Sequence, residues 1–334
     1  MSDTRPVIAV DAMGGDHGPT VIVPGSLAAL KPDSPFGLAF YGDETAIQAA
    51  LDQTASDQTV ADNLPVSIVH CTQDIEMGES PATAIRGKKD SPIVRAMAEQ
   101  KQGLVQAVVS AGSTGAMVAA SLIILGRLPG ISRPAIATIM PTVKGELVML
   151  DAGANTQCTP EHLLSFARMG EVFSREIFGH DNPTIGQLNI GGEPKKGTDL
   201  CIETYQLLAD SNLNFVGNIE GNEFMLGPCD VVVTDGFTGN NTLKMVEGFA
   251  RFMGALLKHP KISDAEKAGL MPVLGFLQKN FTYEVYGGAL LLGVDGVSII
   301  SHGRSSEVAI SNAVKVAWDM IRNDVPAKVA AAHT

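Results

Sequence analysis

The chain of 334 residues carries 24 Lys and Arg against 36 Asp and Glu, a formal net charge of −12, and 45% of its residues are apolar. That balance excludes general nucleic-acid binding and leaves an acidic partner only a local basic patch on which to dock. Four cysteines (Cys71, Cys158, Cys201 and Cys229) lie scattered without CxxC spacing, which excludes a zinc knuckle or a disulfide framework and points to reduced thiols.

The elements alternate along the chain. Strands are expected at Val7–Asp11, Leu38–Tyr41, Val66–His70, Val105–Ser110, Ile136–Met140, Leu147–Asp151, Thr184–Ile190, Asn214–Ile219, Val231–Thr234 and Val297–Ser301, with stretches of helical period between most of them. The last helix, Ser305–Arg322, places Ile310, Ala313, Val314, Ala317, Trp318 and Ile321 on one face behind serines that can cap it. Such alternation predicts a three-layer α/β/α fold with a mostly parallel sheet. No linker interrupts it, so one continuous domain over 1–334 is expected, with a smaller lobe projecting at 247–285. The 'KPDSP' stretch, Lys31–Pro35, reads as a loop. The first residues lack a basic segment followed by an apolar core, and the apolar run Ala116–Leu125 falls well short of the roughly 20 residues of a membrane helix. A cytosolic protein is expected.

Glycines gather where strands end. 'DAMGGDHG', 'SAGSTGA', 'DAGAN', 'NIGGEPKKG', 'GNIEG' and 'TDGFTGNN' each follow an apolar run. In a parallel sheet those ends form the functional edge. One glycine there is ordinary turn chemistry, but six on one edge predict a rim of backbone N–H groups that favours an anion. The clearest cradle is 'VVSAGSTGAM', where a strand meets Gly112, Ser113, Thr114 and Gly115 and then a helix; the alternative is a capped helix start with no ligand. Dinucleotide GxGxxG spacing is absent from the first turn, and at Gly192–Thr198 the Walker pattern fails because Thr198 stands at its lysine position. Lys195 and Lys196 follow a Gly-Gly turn and supply mobile charge suited to phosphate, or simply a solvated turn. Asn240 and Asn241 precede a helix expected to start near Leu243, where an amide either caps it or donates to a ligand oxygen. Arg86, Lys88, Lys89 and Arg95 form the strongest local basic cluster. Asp11, Asp16 and His17 lack any recognised metal spacing, so no metal site is assigned, and Cys158 is expected to be a structural thiol rather than a nucleophile.

Taken in order, 'IAVDAMGGDHGP', 'VSAGSTGA', 'LDAGAN', 'LNIGGEPKKG', 'FVGNIEG', 'DVVVTDGFTGN', 'LKMVEG', 'YGGALLLGVDGV' and 'SHGRSS' closely resemble the bacterial acyl-ACP:phosphate acyltransferases, the PlsX family, over Val7 to Arg322. The resemblance implies an isopropylmalate-dehydrogenase-like fold and transfer of a fatty acyl group from acyl-ACP to inorganic phosphate. Acyl phosphate then feeds phospholipid synthesis. It further implies a homodimer, no organic cofactor, and cytoplasmic residence with peripheral contact at the inner face of the membrane, near the downstream glycerol-3-phosphate acyltransferase. Two positions depart from the family pattern: Ser113 replaces an expected asparagine, and Gly87 a basic residue.

On this basis phosphate is expected against Gly112–Gly115, with Gly14 and Gly15 letting ligand approach the main chain. Lys196 opposes its charge and Asn240 donates to the carbonyl oxygen. His17 handles a proton, while Asp11 and Asp16 orient neighbouring groups. Arg86, Lys88, Lys89 and Arg95 are expected to dock ACP. Leu270, Leu274, Leu277 and Phe281, on a segment bent by Pro272, are expected to meet either the membrane or a dimer partner. A short-chain acyl-CoA phosphate acyltransferase, a dehydrogenase on the same fold, and a non-enzymatic scaffold binding ACP and membrane are the alternatives.

Overall fold

Apolar residues buried on both sides of a strand suit a parallel sheet covered by helices. The strands are β1 (Val7–Asp11), β2 (Gly37–Gly42), β3 (Val66–His70), β4 (Ala107–Ser110), β5 (Ala135–Thr142), β6 (Gly145–Leu150), β7 (Thr184–Asn189), β8 (Asn214–Glu220), β9 (Val231–Val233), β10 (Ala289–Leu292) and β11 (Val297–Ile300). The helices are α1 (Pro19–Leu27), α2 (Glu44–Asp57), α3 (Pro81–Gly87), α4 (Pro92–Lys101), α5 (Thr114–Ala120), α6 (Pro160–Phe173), α7 (Asp199–Ala209), α8 (Gly236–Leu256), α9 (Asp264–Asn280), α10 (Glu307–Arg322) and α11 (Val325–Ala331). The computed structural model describes residues 5–57, 64–76, 78–256, 259, 262–280 and 286–334.

The chain divides into two compact units, one of Met1–Pro134 with Tyr286–Thr334 and one of Ala135–Val285. In the first unit the strand order is β3-β2-β1-β4-β11-β10, parallel except for β10 against β11. Here β1 runs between β2 and β4, so the order reverses beside it. That reversal opens a crevice at the carboxyl ends of β1 and β4. The second unit runs β5-β6-β9-β7-β8, parallel except for β5 against β6. β9 lies between β6 and β7, so another reversal brings together the ends of β6, β9 and β7. The fold is the expected α/β class, with mostly parallel strands flanked by helices. The strand missed by the sequence, β10, lies in the continuous apolar run 'ALLLGV', which has no alternation to mark it.

Three helices carry instructive detail. Ser306 caps α10, accepting from Ala309 N at 3.4 Å, and Ala309, Ile310, Ala313, Val314, Ala317 and Met320 are buried along it. Trp318, at the edge of this face, stacks on Phe36 with ring centroids 5.2 Å apart. α8 begins at Gly236, not near Leu243, because Asp235 accepts from the N–H groups of Phe237 and Thr238 at 2.9 Å each and starts the helix earlier. Asn240 and Asn241 therefore lie inside the helix. α9 continues through Pro272 as a single element, so the expected break into two pieces is not found. Leu274 is buried on it, whereas Leu270, Met271, Val273 and Phe276 are exposed. Leu277 belongs to α9, and Phe281 lies outside the described residues. Among the described residues no helix is long and apolar enough to cross a membrane.

Candidate active site

Three of the glycine-rich junctions share one device. An aspartate at or just beyond the strand end turns its carboxylate onto the N–H groups of the turn that follows. Asp11, at the end of β1, accepts from Met13 N at 3.1 Å and from the Ser110 hydroxyl, at the end of β4, at 2.7 Å. Asp151, just beyond β6, accepts from Gly153 N, Ala154 N and Asn155 N at 3.1, 3.0 and 2.7 Å, and also from Ile136 N and the Asn155 amide at 2.9 Å each. Asp235, two residues beyond β9, holds the start of α8 in the same way. The sequence predicted a rim of open backbone donors, but at these three turns carboxylates already occupy many of them. Fixing the turns is their first task.

What remains open in the first unit is narrower. Gly112 N donates to Ser110 Oγ at 3.0 Å, and Ser113 caps α5 by accepting from Ala116 N at 3.3 Å. The N–H groups of Ser113, Thr114 and Gly115 have no acceptor among the described residues. The main chain is crowded at this point. A Cβ on Gly14 would lie 2.7 Å from Gly112 N and 3.0 Å from Asp11 Oδ2, so only glycine lets the two turns meet.

A cleft of about 240 Å³ opens at this junction, lined by Asp11, Gly14, Gly15, Asp74, Glu76 and Ile93 among others. Its three carboxylates repel a phosphate dianion and suit a neutral arm bearing N–H donors. Gly14 and Gly15 are therefore better placed to admit such an arm than to hold phosphate. Burial pushes the Asp11 carboxyl up to about 6, against which the Ser110 hydroxyl and the Met13 N–H pull it down. Asp16 and His17 are exposed in the loop before α1. Asp16 faces Arg304 at 3.5 Å, a partner from 'SHGRSS' that residue-by-residue reading of the sequence did not single out.

The four basic residues of the expected docking patch divide in two. Lys88 is bound to Glu79 and to the Asp74 carbonyl, and Arg95 pairs with Asp90 at 2.9 Å and Glu99 at 3.5 Å. These two are internal ties. Arg86 is exposed, and Lys89 is exposed with its ammonium on the Ile85 carbonyl at 3.1 Å. Only this pair remains for an acidic partner.

In the second unit Lys196 is exposed in the turn after β7, in no ion pair among the described residues. Its stem lies over Gly191, where an added Cβ would come within 3.2 Å of Lys196 Cγ. Asn240 is exposed in the first turns of α8, beside Gly153 of the loop that Asp151 organises. Gly239 lets α8 approach that loop, since a Cβ there would stand 1.9 Å from the Asp151 carbonyl oxygen. Asp151 itself was legible only as part of 'DAGAN'. The signal that could have found it is an aspartate directly followed by Ala-Gly at a strand end, the pattern that Asp11 and its turn also approximate. Cys71 and Cys229 are buried, which pushes each thiol up to about 12 and disfavours the thiolate. No group of three or more His, Cys, Asp or Glu residues that could hold a metal occurs among the described residues.

Comparison with known proteins places the chain. The family model described as "Fatty acid synthesis protein" matches residues 7–328. A phosphate acyltransferase of Desulforamulus reducens is 45% identical over 324 residues, covering 96% of this chain and 95% of that protein. One from Thermodesulfovibrio yellowstonii is 43% identical over 327 residues, covering 96% and 92%. The EutD phosphotransacetylase of Staphylococcus aureus shares the fold, with a TM-score of 0.60 at 16% identity over 95% of this chain and 94% of that one. The chain belongs to the fatty acid synthesis protein family and, within it, to the phosphate acyltransferases. It is an enzyme of acyl transfer.

The buried carboxylate gives a pH test. Unfolded Asp11 loses its proton near 3.8, whereas folded Asp11 holds it to about 6, so between those values the folded state binds more protons and stability falls as pH rises. Asp11→Asn removes this dependence. The stability of the native protein minus that of the variant, from urea denaturation, is expected to fall by about 2 kcal/mol between pH 4 and 7. A flat difference refutes the environment assigned to Asp11.

Proposed function

We propose that this enzyme transfers a long-chain acyl group from acyl-ACP to inorganic phosphate, and that the acyl phosphate supplies phospholipid synthesis in the cytoplasm at the inner membrane face. The observation that carries the phosphate half of this reading is Lys196. It is an ammonium in no ion pair among the described residues, with its stem packed over Gly191, in a turn at the carboxyl end of a parallel strand.

In the proposed reaction a phosphate oxygen attacks the thioester carbonyl carbon. The carbonyl oxygen gains charge and Asn240 donates to it. The C–S bond then breaks, and the proton originally on phosphate ends on the departing thiolate, with His17 as its carrier. Phosphate is already an anion at neutral pH, so the protein contributes position and charge neutralisation more than base strength. Lys196 serves that neutralisation. The Asp11 cleft takes the amide-bearing arm that carries the thioester, and Asp16 holds Arg304 at its margin. No metal or organic cofactor is invoked.

Lys196→Ala is expected to slow acyl phosphate formation at least about 100-fold with the fold retained, and Lys195→Ala to do much less. Equal, mild losses in a phosphate-dependent thiol-release assay refute the assignment. The same assay with long-chain acyl-ACP against acetyl-CoA separates this reading from a short-chain CoA enzyme, and absence of phosphate-dependent thiol release favours a scaffold.

ACP is acidic and so is this chain, so their encounter is local and screened beyond about 8 Å at physiological salt. Arg86 and Lys89 carry it, because Lys88 and Arg95 are tied within the fold. Arg86→Glu with Lys89→Glu is expected to raise KM for acyl-ACP and flatten its salt dependence while kcat stays within about two-fold. An unchanged KM and salt response place docking elsewhere.

The apolar residues Met245, Phe249 and Phe252 of α8 recur at helical spacing and are exposed, a face suited to the same helix of a second copy. On α9 the exposed set is Leu270, Met271, Val273 and Phe276, which suits a bilayer surface where the poorly soluble product is consumed. Met271→Glu with Phe276→Glu is expected to abolish binding to anionic liposomes, leaving soluble turnover within about two-fold. Retained liposome binding, or a monomer in place of a dimer, counts against membrane contact by α9.

A further inference from the structure

The turn that carries Lys196 is held from below by side chains that the reaction scheme does not use. Asn218, on β8, is 8% exposed, and its Nδ2 donates to the Glu193 carbonyl at 2.9 Å. Asn189, at the end of β7, donates from Nδ2 to the Lys196 carbonyl at 3.0 Å, while its Oδ1 accepts from Ile190 N at 2.8 Å. Lys196 N closes the turn onto Glu193 O at 3.1 Å. The Glu193 carbonyl thus receives two donors, one from the turn itself and one from Asn218.

Asn218 sits directly opposite Gln187 in the β7–β8 register, and its Oδ1 accepts no hydrogen bond among the described residues. Leaving a buried amide oxygen unsatisfied costs roughly 1–3 kcal/mol. A residue chosen only for core packing would avoid that cost. The contact that its Nδ2 makes is with the lysine turn. Gly197 marks the other end of this turn with φ +93°, and a Cβ there would stand 2.3 Å from Asn189 Oδ1. The turn is therefore fixed at both ends while the Lys196 ammonium stays open to solvent.

We propose that Asn218 is a positioning residue for phosphate: by holding the Glu193 carbonyl it sets the direction of the Lys196 side chain. This rests on the reading of Lys196 as the phosphate-facing cation. A long ammonium side chain loses much rotamer freedom when it binds an anion, and a fixed turn reduces the part of that loss that falls on the backbone.

The test is a double-mutant cycle with inorganic phosphate as the varied substrate. Asn218→Asp replaces the donor by an oxygen facing the Glu193 carbonyl, and Asn218→Ala removes the donor without adding charge. Each is expected to lower kcat/KM for phosphate about 10-fold, mainly through KM, with KM for acyl-ACP unchanged. In the Lys196→Ala background the same substitutions are expected to cost no more than about two-fold, because they act through the lysine. Trypsin, which cleaves after lysine, is expected to cut the native-state turn at Lys196 faster in both variants. If the losses multiply in full, or if both Asn218 variants match the native enzyme while Lys196→Ala is slow, the positioning role is overturned and the phosphate reading stands. If Lys196→Ala itself keeps the native rate, both are overturned.

Discussion

The rest of the site depends on how a parallel strand ends. Its last carbonyls and the N–H groups of the following turn leave the sheet at the edge where substrates approach, and they need partners there. Here three aspartates accept from the N–H groups of the turns. Asp11 and Asp151 are almost wholly buried, and each turns its oxygens onto the backbone of its own turn. Burial raises the proton affinity of both carboxyls, against the pull of the N–H and hydroxyl donors they accept. The turns gain a single conformation, and the sheet edge becomes a fixed surface on which free donors can be placed one at a time.

That constraint changes where charge sits. A rim of unpartnered N–H groups would attract anions everywhere along the edge. In the second unit Lys196 stands exposed in the turn after β7. The Asp11 cleft becomes negative. An acyl transfer to phosphate needs such separation, because the thioester arm and the dianion must be sorted into different surroundings before they react. Catalysis by position is sensitive to such sorting.

Glycine serves the same end by a different physical route. Gly14 and Gly239 are needed for close approach of backbone to backbone, Gly14 beside Gly112 and Gly239 beside Asp151. Side chains at those positions would push apart the turns that the aspartates hold. The glycine density of the sequence therefore reports crowding at the strand ends as much as ligand contact.

The sequence by itself determined the α/β class, nearly every strand and the ordering of the glycine-rich turns, because apolar runs and turn residues are local signals that a sheet cannot override. It also determined the family, through motifs that span almost the whole chain. Tertiary structure decided the rest. Lys88 and Arg95 look like docking charges in the sequence but are tied to Glu79 and Asp90 by folding. Leu274 shares an apolar stripe with its neighbours yet alone among Leu270, Val273 and itself is buried, since a helical wheel shows which residues align and not which side meets the core. The start of α8 moved to Gly236 because Asp235 and the Asp151 loop meet there, a contact between segments more than 80 residues apart. Asn218 reaches the Glu193 carbonyl of the lysine turn across 25 positions of chain for the same reason: hydrogen bonds form between neighbours in space, and sequence spacing records only neighbours along the chain.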